Sequence, residues 1–412
     1  MSEMSPTRIA TRNSVLRAGI VLAAAAAWGV AAWLLWQTTV PDDLRLPDLD
    51  AREFFAAKQL EKTADYERFL RIDWVLQTVA SLVTLAVLAI RAPAMARGLR
   101  LGRLGTGIVL GMVALTALWF AELPFDVGAR WWQRRHDLTR GGYVDWLAEG
   151  WAELVAGAVF LLLTIAILLA LAGRFRRRWW TAAAAVFTCM AGLFTFALGG
   201  LTALETHGVR DPGLRRQARV LERKLDVSGT PVEVEEVSDV TRQANAYVIG
   251  FGPSERVVLW DTLLDGRFLD AEIYVVLAHE LGHVARKHVL KALGWYGLVA
   301  LPVFGIVALA TGRRGGLANP ATLPLALLVL TATQLVLLPA TNTISRRFEA
   351  EADWTALEAT RNPAAARGLF TRFSQTSLAQ PNPPTWAYVL FDTHPTLMQR
   401  IAMAEAWRER ER

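Results

Sequence analysis

The chain has 412 residues, 53% of them hydrophobic and 20% charged, and its mean hydropathy is positive at +0.28. That balance excludes an ordinary soluble class and makes a membrane protein the first expectation. A net charge of +6 could suit nucleic acid, but the basic residues sit in short clusters beside apolar runs; that is a pattern of membrane topology, and no nucleic-acid partner is expected.

Hydropathy marks about seven runs near the roughly 20 residues that cross a bilayer. The first, residues 15–36, follows a tail carrying Arg8, Arg12 and Arg17. It has the look of a signal peptide, yet its apolar length exceeds a typical signal core and it reads as a retained span. The others cover residues 72–90, 105–121, 154–172, 179–203, 292–310 and 323–339, with Trp36, Trp74, Trp151, Trp179 and Trp180 near their ends as interfacial anchors. The chain therefore divides into a membrane region of about five spans (1–204), a polar segment (205–291), two further spans (292–342) and a C-terminal segment (343–412). The expected fold is mainly α, a multi-pass cell-membrane protein of about seven transmembrane helices with a small α+β domain. Two spans separate the polar segments, so both emerge on one side of the membrane and can share a site.

The first polar segment predicts a helix around 214–225, strands at 232–237 (VEVEEV) and 246–250 (AYVIG), then a glycine- and proline-rich turn into 256–260 (RVVLW), giving a hairpin. A helix follows from Asp270, which is placed to cap it. That helix carries HELGH at 279–283. Residues four apart share a helix face, so His279 and His283 can reach one cation, with Glu280 beside it. The lone cysteine, Cys189, lies in an apolar run, so any metal site is built from histidine and carboxylate. Zinc suits such a set, with one position left open for water.

A third ligand is needed, and 345–353 (SRRFEAEAD) offers Glu349, Glu351 and Asp353 on the correct side. Alone, this reads as a solvated helical charge run. Glu349 and Asp353 share a face, so one could bind the metal while the other hydrogen-bonds a ligating histidine; Glu351 points elsewhere.

These motifs resemble the integral-membrane CAAX prenyl endopeptidase family and, more distantly, the bacterial heat-shock membrane metalloprotease. The resemblance covers roughly the C-terminal half. It rests on Asn245-Ala246-Tyr247 with the turn and strand that follow, on HELGH, on 342–353, and on His394-Pro395 with Arg400. It implies that His279, His283 and Glu349 hold one zinc ion per chain and that Glu280 is general base and acid. It also implies that Asp353 orients a metal ligand, that Asn245, Ala246 and Tyr247 align substrate backbone along an edge strand, and that His394 and Arg400 stabilise the developing oxyanion. Without it, His394 is a loop histidine and Arg400 a helix-surface charge. The implied activity is endopeptidase hydrolysis of a polypeptide by a metal-activated water, with membrane lipids as surroundings. Oligomeric state leaves no mark in the sequence.

Substrate and sidedness are open. Arginine-rich short loops put the cytoplasm on the face opposite the polar segments by the positive-inside rule, whereas the resemblance puts the zinc site in the cytoplasm. CAAX-type processing of prenylated proteins fits the second arrangement, and broader degradation of membrane or exported proteins the first. A transporter would carry charges inside its spans, which here are almost free of them. A non-catalytic, zinc-stabilised protein would not need Glu280.

Overall fold

A computed structural model describes residues 6–412, side-chain surroundings at 6–18, 20, 149, 152, 153 and 156 excepted. In chain order the elements begin with the long helices α1 (Pro6–Trp36), α2 (Ala57–Gly98), α3 (Arg103–Arg135), α4 (Tyr143–Phe175) and α5 (Trp179–Thr202). The sheet-bearing segment follows with β1 (His207–Gly208), α6 (Pro212–Lys224), β2 (Val232–Glu235), β3 (Ala246–Ile249), β4 (Arg256–Trp260) and α7 (Asp270–Ala285). The chain finishes with α8 (His288–Gly312), α9 (Leu323–Thr360), α10 (Pro363–Thr376), α11 (Thr385–Phe391) and α12 (Leu397–Arg410).

Five stretches of the described residues are long and apolar enough to cross a membrane: Ala57–Gly98, Arg103–Arg135, Gly157–Thr202, His288–Gly312 and Pro320–Thr360. The third folds as two helices, because the chain breaks at Arg176 (φ 49°) and reverses between α4 and α5. On α2 the apolar stripe Val75, Val79, Val83 and Val87 is 43–56% exposed. A protein in water would bury such a stripe; turned outward, it suits lipid. Pro93, Pro124, Pro302 and Pro339 lie inside these helices, as spans permit when neighbours satisfy the freed backbone. The fold is that of a mainly helical, multi-pass membrane protein with one small sheet.

The sheet runs β1-β2-β4-β3. The expected hairpin is β3 antiparallel to β4, but β2 lies parallel to β4 on its other side. β4 is therefore central, and its RVVLW run is buried at four of five positions, as a strand covered on both faces requires. β3 is left with a free edge. Leu259, Leu263, Leu277, Leu281 and Ile401, all fully buried, tie β4, α7 and α12 into one core. Asp270 does not cap α7; the Glu272 carboxylate accepts from the Leu269 N–H at 2.9 Å, and Arg372 of α10 fixes it with a 2.8 Å hydrogen bond from Nε.

Candidate metal centre

Helix α7 sets His279 and His283 one turn apart with their Nε2 atoms 3.0 Å from each other. Helix α9 crosses α7 and delivers Glu349, its Oε2 3.2 Å from His279 Nε2 and its Oε1 3.6 Å from His283 Nε2. One ligand atom from each of the three lies within 4.8 Å of the others, a spacing that could hold a metal ion. Gly282, inside the motif, permits the crossing: a Cβ there would stand 3.3 Å from Thr355 Cβ and 3.4 Å from the Ala352 carbonyl oxygen. Glu349 Oε2 is buried and accepts no well-aligned hydrogen bond. A buried carboxylate oxygen left in that state is costly unless a cation completes it.

Each histidine is oriented from behind. His279 Nδ1 lies 2.9 Å from Asp353 Oδ1, which makes Nδ1 the donor and leaves the Nε2 lone pair for a metal. Asp353 is itself gripped by Arg400, whose Nε and Nη2 donate at 2.7 and 2.6 Å. The Arg400 guanidinium also sits over the Phe370 ring, 4.2 Å from its centroid. Arg400 is thus committed to Asp353, an engagement beyond the oxyanion contact that the resemblance implies for it.

Behind His283 stands a chain that sequence reasoning missed. His283 Nδ1 meets His288 Nδ1 at 2.9 Å, His288 Nε2 meets Glu351 Oε2 at 3.0 Å, and Lys291 Nζ donates to the same oxygen at 3.1 Å. The Thr39 N–H donates to the other Glu351 oxygen at 2.9 Å, and His288 stacks on Phe348 with ring centroids 4.7 Å apart. If His283 Nε2 faces the metal, its Nδ1–H donates to His288, whose Nε2–H donates to Glu351; the tautomers are mutually consistent. Lys287, at φ 56° in the left-handed region, ends α7 and lets α8 start at once, bringing His288 back beside His283. The faint sequence signal was a third histidine five residues after the motif. Outer partners of ligating histidines are commonly worth about 10–100-fold in metal affinity, so His288→Ala should weaken metal binding by that factor in a chelator competition. Unchanged affinity would mean that His288 does no orienting.

Glu280, on the adjoining face of α7, is buried, and burial pushes its carboxyl up to about 7. Burial holds the His283 imidazole down at about 3, keeping a lone pair available. Glu280 opens onto a cavity of about 410 Å³ whose walls include Asn245, Ala246, His279, His394 and Arg400. His394 Nε2 lies 3.1 Å from Glu349 Oε2, and its side chain is 55% exposed. Asn245 and Ala246 bring the start of the free β3 edge to this cavity. Tyr247 does not share it: its hydroxyl donates to Glu235 at 3.0 Å on the other face of the sheet, leaving only its main chain for an edge-strand role. Glu67 of α2 and Gln380 and Asp392 from the C-terminal segment also line the cavity, walls that the motifs did not reveal.

Residues 209–408 match the family model described as peptidase family M48. The chain is 36% identical over 179 residues to "uncharacterized metalloprotease YhfN" of Bacillus subtilis (strain 168), covering 41% of this chain and 42% of that protein. It is 27% identical over 200 residues to a CAAX prenyl protease 1 homolog of Oryza sativa subsp. japonica, covering 47% of each. The chain thus spans about half the length of these curated relatives. A crystal structure of S. mikatae Ste24p superposes with a TM-score of 0.71 at 17% identity, over 92% of this chain and 96% of that one, and so shares its fold. The resemblance read from the four motifs holds.

Proposed function

From a chain that matches peptidase family M48 across residues 209–408, we propose a zinc-dependent membrane endopeptidase with His279, His283 and Glu349 as ligands and Glu280 as general base. The observation that carries this reading is the two imidazole nitrogens 3.0 Å apart beside a buried Glu349 oxygen that accepts no well-aligned hydrogen bond. Ligand atoms about 2.0–2.1 Å from a tetrahedral zinc ion stand about 3.3 Å apart, close to the spacings here, and the donor chemistry is the His₂Glu set of catalytic zinc sites.

Bound zinc would supply a Lewis acid that polarises the scissile carbonyl and acidifies water. Glu280 takes a proton from the attacking water and returns it to the leaving amine. Arg400 holds Asp353, which holds His279; His394, more open to the cavity, is the donor available to a developing oxyanion. Substrate backbone lies along the free β3 edge, with Asn245 at its start. The two helices within Gly157–Thr202, together with α1, support the finer count of seven spans, and the edge strand beside the HExxH helix supports a zincin-like arrangement. The segments 1–204, 205–291, 292–342 and 343–412 are the corresponding units, and the cell membrane is the proposed location.

The test is cleavage of an unstructured peptide by detergent-purified full-length protein, with zinc quantified alongside. One zinc per chain, inhibition by a chelator and recovery on adding zinc are expected; absence of bound zinc would overturn the reading. A farnesylated version of the same peptide separates CAAX-type processing, in which only the lipidated form is cut, from broader proteolysis, in which both are.

A further inference from the structure

The end of the bundle remote from the metal centre is crowned with arginine. Residues 91–103, 173–180 and 311–320 contribute Arg91, Arg97, Arg100, Arg103, Arg174, Arg176, Arg177, Arg178, Arg313 and Arg314, and no acidic residue occurs in any of the three segments. Two of them tie these segments to neighbouring helices: Arg314 Nη1 reaches the Ala89 carbonyl on α2, and Arg103 Nη2 donates to the Leu169 carbonyl on α4 at 2.6 Å. Between the start of α3, the α4–α5 turn and the end of α8 lies a cavity of about 840 Å³, the largest of those described. Its rim holds Arg103, Arg176 and Arg177; its wall is apolar, with Trp179 buried, Trp180 half-buried and Leu309 80% exposed. The wall continues onto the outward apolar face of α8, where Ile306 is 43% exposed.

We propose that this cavity binds one anionic phospholipid, its phosphate under Arg103, Arg176 and Arg177 and its acyl chains along Trp180 and Leu309. Two features select a lipid over a free phosphate. Cationic side chains at an interface with no carboxylate to satisfy them attract an anion from the leaflet, and the continuous apolar wall has no use to a ligand without chains. Tryptophan at this level is the usual neighbour of a headgroup. On α8 the cavity lining starts at Gly305, 17 residues beyond His288 and so about 25 Å along the helix at 1.5 Å per residue; the site lies outside the catalytic machinery.

The test uses full-length protein in nanodiscs of phosphatidylcholine with phosphatidylglycerol as roughly one part in five, a surface charge like that of a natural anionic leaflet. Native mass spectrometry of the released wild type should find phosphatidylglycerol retained in preference to phosphatidylcholine; no preference would overturn the proposal, and this measurement needs no variant. R103Q/R176Q/R177Q should weaken retention on the order of 100-fold, at about fivefold per arginine, while R91Q/R97Q/R100Q, with the same change in charge away from the rim, should retain the lipid. Equal loss in both would reduce the effect to general surface charge and overturn the site. In neutral detergent, phosphatidylglycerol should raise the unfolding temperature; an equal rise with inorganic phosphate alone would identify a free-anion site and overturn the lipid.

Discussion

Glu280→Gln should abolish turnover and leave zinc bound. Loss of a general base commonly costs about 10²–10⁴-fold, and a kcat reduction near 10³-fold is expected with zinc still at one per chain. Glutamine fills the same buried space beside His279 but cannot accept a proton. The wild-type pH profile should carry the same signature. Catalysis needs the carboxylate, burial pushes that carboxyl up to about 7, and the charge of a bound cation draws it back toward the ordinary value of about 4.3. Activity should therefore fall as pH drops through a limb between those values, and the residual activity of the variant should lack that limb. Loss of folding in place of loss of turnover would favour a protein in which the metal only holds segments together.

His283→Ala should remove the metal itself. Structural zinc sites bind with about 10–16 kcal/mol across four ligands, so one ligand is worth about 2.5–4 kcal/mol, or on the order of 10²–10³-fold in affinity, at or above the top of the 10–100-fold assigned to His288. The truncation also strands His288 Nδ1 opposite a cavity. Zinc affinity by chelator competition, with thermal unfolding of the metal-free protein measured beside it, separates the two costs. If His283→Ala binds zinc as tightly as wild type, the ligand assignment is wrong.

The parts of the site legible in sequence are those in which local spacing sets three-dimensional proximity. His279 and His283 share a face because a helix repeats every 3.6 residues, and AYVIG and RVVLW pair because a tight turn joins them. Choosing between Glu349 and Asp353 needed more: the spacing allowed either to face the metal, and the crossing of α7 and α9 at Gly282 puts Glu349 beside both Nε2 atoms and Asp353 behind His279. His288 was not legible, because its role depends on the left-handed turn at Lys287 and on Glu351 arriving from another helix. The capping of α7 was misread for a similar reason: Asp270 is the better local candidate, but Arg372 from α10 holds Glu272 where it serves instead. The parallel pairing of β2 with β4 leaves no mark in either strand, since both read simply as extended, one alternating valine with glutamate and the other largely apolar. The stretch 37–56, polar enough to pass as a loop, supplies Val40, Leu44, Leu49 and Phe55 to the main core, a use of scattered apolar residues that no periodicity announces.

Helix α9 runs unbroken from Leu323, in an apolar stretch, to Thr360, past Glu349 and Asp353. The third ligand is therefore not carried by the sheet-bearing segment; it is the far end of a rod about 57 Å long at 1.5 Å per residue. An ion held by His279, His283 and Glu349 would act there as a rivet, crosslinking that rod to α7. The sheet and α7 by themselves hold two of the three proposed ligands, so the full set comes together only where α9 packs on α7. Folding of the bundle is in that sense the step that brings the third proposed ligand to the other two.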